Sequence, residues 1–265
     1  MTTALSDHDQ LFDLPSLPER LITLADDFIV HSDLLKALAA TGHLRGTALR
    51  RQIPTTQLLA VQTLEVRESV KQTLRSTPAA VDASLRLRQT AFLTAGAAEE
   101  LRGILTLIES GHSIAAEQVG TAKDLAALGA DTCVALAEIL AAETLRQQVA
   151  QTREDTPRLA STDMPAMRAV ARGKAQVTLM LGRQYITNDD GARLSISTIR
   201  DLETRALIRR EGAPQGQEGK PQRLRLTAAG VRALAGSFGQ PPTATPGHRR
   251  GPSSARTTAH VKRSR

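Results

Sequence analysis

Nine side chains near the carboxyl end carry the clearest chemistry in this 265-residue sequence. Ser197, Thr198, Arg200 and Thr204 fall in one short stretch, and Arg209, Arg210, Lys220, Arg223 and Arg225 follow it. Hydroxyls and a guanidinium at helical spacing can read base edges, whereas a run of cations suits phosphate. Other constellations are weaker. Gly212 to Lys220 has the outline of a phosphate loop, but the first glycine of that motif falls on Pro214, and Pro221 replaces the hydroxyl that would hold magnesium. His8, His31, His43, His112, His248 and His260 are scattered without ligand spacing, and the single cysteine, Cys133, sits between Thr132 and Val134 as a packing residue would. Asp26-Asp27 and Asp189-Asp190 are adjacent carboxylates, which do not face one another on a helix. No nucleophile, acid–base pair, metal site or cofactor site follows from these patterns, so the expected protein is not an enzyme.

The charge is divided along the chain. Residues 1–159 hold 15 Lys/Arg against 20 Asp/Glu, a net of −5. Residues 160–239 hold 13 against 7, and residues 240–265 hold 6 against none, each a net of +6. A basic module joined to a mildly acidic one predicts a nucleic-acid end and a protein-facing end. Aromatic residues make up only 2 %, so the core must be built from Leu, Ala, Val and Ile, as closely packed helices allow. One cysteine excludes a disulfide framework within the chain. No signal peptide and no apolar run of about 18 residues is evident, which predicts a cytoplasmic location and no membrane partner.

The elements that must position these residues are mostly helical. Residues 1–14 are polar and expected to be disordered. Ser16 opens a capping box with Glu19, and Leu21, Leu24 and Phe28 share one face of the helix it starts. Ser32 is placed to cap a second helix ending at Gly42, and Pro54 to stop any helix approaching it. A third helix is expected over residues 55–75, with Leu58, Leu59, Leu64 and Leu74 as core. Two long helices follow, 82–109 with Leu85, Phe92, Ala95 and Leu101 inward, and 114–149 with Val119, Leu128 and Leu136 inward. The short Gly111-His112-Ser113 link folds them into an antiparallel hairpin. Their wide apolar stripes predict self-association, with a homodimer expected. The helical domain is assigned to residues 15–155, with a boundary in the polar stretch 151–162.

Residues 160–239 form the second predicted domain. Asp163 or Thr162 caps a short helix that Gly173 ends. Val177–Leu181 and Gln184–Thr187 are rich in strand formers, and Asn188-Asp-Asp-Gly191 reads as the turn of a small hairpin returning through Arg193 and Leu194. Ser195 or Ser197 caps a helix whose inner face is Ile196, Ile199, Leu202 and Ala206. A basic strand, a loop and a second strand follow, the last with Leu224 and Leu226 in and Arg223 and Arg225 out. Thr227 caps the final helix. Residues 240–265 lack apolar anchors and are expected to be a disordered basic tail.

Helix, basic strand, loop, basic strand, helix is the order of the back half of a winged helix-turn-helix. Within it, Leu202-x-x-Arg205-Ala206-Leu207-Ile208-Arg209-Arg210, followed by Leu226-Thr227-x-x-Gly230, resembles bacterial winged-helix regulators of the multiple-antibiotic-resistance (MarR) type over residues 194–236. The resemblance implies that the helix before the strands enters the major groove through Ser197, Thr198, Arg200 and Thr204. It also implies that Arg209, Arg210, Lys220, Arg223 and Arg225 form a wing on phosphate or the minor groove. This sequence departs from the family in having Ala206 where glycine is usual, acceptable if that residue stays helical, and in showing strands where the family has a scaffold helix. The expected fold is therefore mainly α: a helical bundle with a long antiparallel hairpin, then a small winged-helix domain and a tail. The expected function is double-stranded DNA binding as a transcriptional or replicon regulator, with no effector identified. The alternative is a non-enzymatic helical scaffold whose winged-helix-like module binds protein.

Overall fold

The computed structural model describes residues 15–41, 44–74, 77–112, 116–148, 159–188, 194–212 and 219–238. The predicted disordered segments 1–14 and 240–265 lie outside it, as does most of the predicted domain boundary. The chain is mainly helical with one small antiparallel sheet.

Helix α1 spans Leu17–Ala40 and starts at the predicted capping box: the Ser16 amide donates to Glu19 Oε2 at 2.7 Å, and the Glu19 amide donates to Ser16 Oγ. The expected break at Ser32 is absent. Its hydroxyl donates to the Lys123 carbonyl on a neighbouring helix, leaving nothing to cap a new start. Helix α2, Gly46–Thr73, likewise runs through the expected stop at Pro54. Leu49, Ile53, Thr56, Ala60 and Thr63 are buried on one continuous stripe. Packing along that stripe outweighs the roughly 3 kcal/mol that an interior proline costs. Helix α3, Pro78–Glu109, begins four residues earlier than expected because Thr77 Oγ1 caps the Ala80 amide. Gly111, at φ 83°, turns the chain at its end. After a 3-10 turn at Ala116–Val119, α4 spans Gly120–Gln148.

These four helices form a bundle in which α1 packs chiefly on α4, and α2 on α3. The arrangement corrects the predicted core. Leu59, Leu74, Leu101 and Leu136 are buried, but Leu58 and Leu64 of α2, Leu85 and Phe92 of α3, and Leu128 of α4 are exposed, since each of these helices leaves one side uncovered. By length and composition α4 also meets the requirement for a membrane span, with mean hydropathy 1.7, contrary to the sequence reading; half of that window is buried inside the bundle.

The C-terminal module opens with α5 (Met164–Ala171), ended by Gly173 at φ 67°. Strands β1 (Ala175–Met180) and β2 (Arg183–Asn188) form a hairpin, but its turn is Leu181-Gly182, with both residues at positive φ, and not the predicted 188–191. Two successive positive-φ residues give the tight connection that matches strand twist. Residues 189–193 lie outside the described set. Helix α6 (Ile196–Thr204) has the predicted cap, Ser195 Oγ accepting from the Thr198 amide at 3.1 Å. Strands β3 (Ile208–Gly212) and β4 (Pro221–Leu226) follow, then α7 (Ala228–Ser237), capped by Thr227. The sheet order is β2-β1-β4-β3.

Ala206 corrects the predicted inner face of α6. It is exposed, lies beyond the helix, and adopts φ 54° instead of staying helical. The chain turns there so that Leu207 and Ile208 can enter the core. Around the turn, the Thr227 amide donates to the Leu207 carbonyl at 3.0 Å and its hydroxyl to the Ala206 carbonyl at 2.6 Å. A Cβ on Gly230 would lie 1.9 Å from the Leu207 oxygen. The Leu-Thr-x-x-Gly pattern thus clasps α7 to the start of β3. One apolar core runs from α1 and α4 into this module, joining Leu21, Phe28 and Leu140 to Met167, Ile199, Leu224 and Phe238. A second cluster, including Leu35, Leu101 and Val119, fills the far end of the bundle.

Candidate nucleic-acid interface

The short α6 helix holds Ile199 and Leu202 in the core and turns Ser197, Arg200 and Thr204 to solvent, with Thr198 half-buried. Arg200 donates to Gln184 Oε1 on β2 at 3.2 Å, which ties its direction to the β1–β2 hairpin. Thr204 donates its hydroxyl to the Arg200 carbonyl, and the Ser195 hydroxyl contacts those of Ser197 and Thr198. The two acids of α6 face arginines: Asp201 pairs with Arg205 at 3.2 Å, and Glu203 with Arg210 at 2.9 Å. Negative charge on this helix is thereby balanced locally.

The predicted wing residues separate into two groups. Arg209 and Lys220 are exposed and have no carboxylate partner among the described residues. Arg210, Arg223 and Arg225 are turned inward. The Arg210 side chain, 13 % exposed, locks β3 to α6 through Glu203. Arg223 pairs with Asp33 of α1 and donates to the Gly173 carbonyl. Arg225 is only 6 % exposed, pairing with Asp26 of α1 at 2.7 Å and with Glu211. The expectation that Arg223 and Arg225 face solvent is corrected. Alternation does place them opposite Leu224 and Leu226, but that second sheet face lies against α1. Arg209 is the cross-strand partner of Arg225 and so shares its face. Helix α6 lies on the other face, where Arg210 and Leu224 meet it. Arg200 and Arg225 therefore project from opposite sides of the sheet.

The ion pairs across this junction follow one pattern. Asp26 and Asp33 of α1 are seven residues apart, as are Asp131 and Glu138 of α4. Lys174 pairs with Asp131 at 3.0 Å, Arg168 with Glu138 at 2.9 Å, and Arg172 approaches Glu138 at 4.0 Å. Five cations of the module thus face four carboxylates of the bundle. The charge division along the sequence is in good part a docking complementarity inside one molecule, which the sequence reading missed. Its signal was available: acidic residues recurring every second turn along α1 and α4. Burial raises the Asp33 carboxyl above the ordinary carboxylate range even with Arg223 beside it, and burial together with Asp26 does the same for Asp27.

Two further exposed cations, Arg183 and Arg232, also lack a carboxylate partner among the described residues. The alternation of β2, with Arg183, Tyr185 and Thr187 exposed, was the cue for the first. Elsewhere, burial pushes the Cys133 thiol up to about 12, so it is a poor nucleophile. Among the described residues, no three His, Cys, Asp or Glu side chains gather in a way that could hold a metal. Comparison with family models, with curated proteins and with solved structures found no match for the chain.

Proposed function

We propose that this protein is a non-enzymatic, double-stranded-DNA-binding protein, a transcriptional or replicon regulator acting as a homodimer, with α6 as its reading element. The carrying observation is that α6 keeps Ser197, Arg200 and Thr204 exposed while Arg205 and Arg210 balance its acids. The order α6–β3–β4, with β4 between β1 and β3, supports a winged-helix module in which the β1–β2 hairpin stands in for the scaffold helix. In this reading Arg200 contacts a base edge and Lys220 contacts phosphate. Arg183, like Arg209, lies by strand register on the sheet face opposite α6 and takes no part. Arg210, Arg223 and Arg225 have no direct part in this reading.

Gel-shift titration against genomic fragments over a salt series tests it. Arg200→Ala should weaken binding and relax its sequence preference, whereas Lys220→Ala should weaken binding on all fragments and lower the salt slope by about one unit. Absence of binding at low salt, or binding that depends only on residues 240–265, would remove the folded module from the role.

The junction favours a second reading, a protein-docking module held rigidly on a helical scaffold, because Arg223 and Arg225 are engaged with α1. It expects Arg200→Ala to leave DNA affinity unchanged and to abolish capture of a protein partner.

A further inference from the structure

The outer face of the α2–α3 pair carries large apolar side chains without a cover. Leu58, Val61 and Leu64 of α2 are 42–55 % exposed, and Val81, Leu85 and Phe92 of α3 are 54–79 % exposed. Of these, Val61, Leu64 and Phe92 line an open groove of about 450 Å³ whose walls also include Gln57, Ala95, Arg88 and Glu99. An uncovered apolar stripe of this kind on a folded protein marks an interaction surface.

The order of residues along α3 specifies the occupant. Val81, Leu85, Arg88, Phe92, Ala95, Glu99 and Arg102 are separated alternately by four and three positions, the spacing of a helix–helix seam. The stripe is also complementary to itself when reversed. About a point midway between Leu93 and Thr94, Arg88 maps onto Glu99, Phe92 onto Ala95, and Leu85 onto Arg102. Opposite charges meet, the largest ring meets the smallest side chain, and a leucine meets an aliphatic stem that can lie over it. Arg88 makes no ion pair among the described residues, while Glu99 pairs with Arg102 of its own helix, a contact that the second copy's Arg88 would join. Beside the centre, a Cβ on Gly96 would meet nothing within 4 Å, so a second backbone can approach closely.

We propose that this face binds a second copy of the chain, α3 lying antiparallel on its partner's α3 about a two-fold axis, with Arg88 of each copy on Glu99 of the other. The proposal rests on the self-association half of the function proposed above and is independent of its DNA half. It places the contact on α2 and α3 and leaves α6 free.

Sedimentation equilibrium on the full chain tests it, with circular dichroism as the check on folding. Arg88→Glu and Glu99→Arg, each at an exposed position, should each weaken the dimer by about tenfold, because either change sets two like-charged pairs across the axis. Mixing the two variants should restore wild-type affinity, since both contacts are then Glu on Arg. Phe92→Ala should weaken the dimer without changing the monomer's fold. A wild-type chain that stays monomeric into the tens of micromolar would overturn both this surface and self-association. A wild-type dimer that the charge variants leave unchanged, or that mixing fails to restore, would overturn this surface alone.

Discussion

Three glycines, each replaced by alanine, test the packing of the whole molecule because the same added methyl meets three different environments. At Gly103, on the exposed side of α3, a Cβ would have nothing within 4 Å. The change should stabilise the fold by about 0.5–1 kcal/mol, the helix-propensity difference alone. At Gly129 in α4 the Cβ would lie 2.8 Å from the fully buried ring of Phe28. The ring must shift by about 0.6 Å, and overpacking of roughly 1–3 kcal/mol outweighs the propensity gain, leaving a net loss of about 1 kcal/mol. At Gly230 the obstacle is the Leu207 carbonyl at 1.9 Å, a backbone atom that cannot rotate away. Separating them by the needed ~1.5 Å would break the Thr227 bonds to the Leu207 and Ala206 carbonyls and disturb the α7 cap. At about 1 kcal/mol for each of those two bonds and for the cap, less a propensity gain of about 1 kcal/mol, the loss comes to about 2 kcal/mol. Urea denaturation followed by circular dichroism should rank the chains Gly103→Ala, wild type, Gly129→Ala, Gly230→Ala, from most to least stable, with similar m values. A Gly230→Ala chain that unfolds at the wild-type midpoint would refute the clasp between α7 and β3, and with it the account given of the Leu-Thr-x-x-Gly pattern.

Ala206→Gly should stabilise the chain by about 0.5–1 kcal/mol in the same assay, since it relieves a left-handed residue at the cost of a more flexible unfolded chain. Arg225→Ala should destabilise by about 2 kcal/mol, less than for a fully buried pair, because Asp26 is 39 % exposed and can regain water. A double-mutant cycle with Asp26→Asn should return a coupling of about 1 kcal/mol, and a value of zero would deny the contact its role. His31, 1 % exposed, has its pKa lowered by burial from 6.5 to about 4, against a weaker opposing pull from Gln52. The unfolded chain therefore takes up a proton before the folded one, and stability is lost as pH falls from about 6.5 toward 4, by up to roughly 3 kcal/mol. Asp27 and Asp33, with raised pKa values, oppose this by gaining stability over the acid side of the same window. A His31→Leu chain should lose the acid sensitivity, and denaturation at pH 7 and pH 4.5 would expose an unchanged slope.

Local signals were legible in the sequence where one short motif decides the outcome. The Ser16–Glu19 box, the Ser195 and Thr227 caps, the stops at Gly111 and Gly173, and the order of elements from α5 to α7 were all readable. Signals failed where tertiary packing overrides a local cue. Pro54 lies inside α2 because the buried stripe on either side of it is continuous, and Ser32 is drawn away by the Lys123 carbonyl. Leu85 and Phe92 read as core because periodicity shows which residues share a face, not whether anything covers that face. Arg223 and Arg225 are the same case reversed: alternation placed them correctly on the far side of the sheet, but not the helix waiting there. The exposure of Ser197, Arg200, Thr204, Arg209 and Lys220 was accordingly legible, whereas Arg210 on β3 and Arg223 and Arg225 on β4, expected outward, are turned inward.

The carboxylates of α1 and α4 that hold the module occupy the position toward its cations that a row of phosphates would take. Any external polyanion seeking Arg223 or Arg225 must first displace an internal competitor covalently tied to the same chain, at a local concentration no solute reaches. Added salt therefore acts on both sides of that contest, screening the outside ligand and loosening the inside one. The affinity of this face for polyanions should vary less with ionic strength than its number of arginines implies.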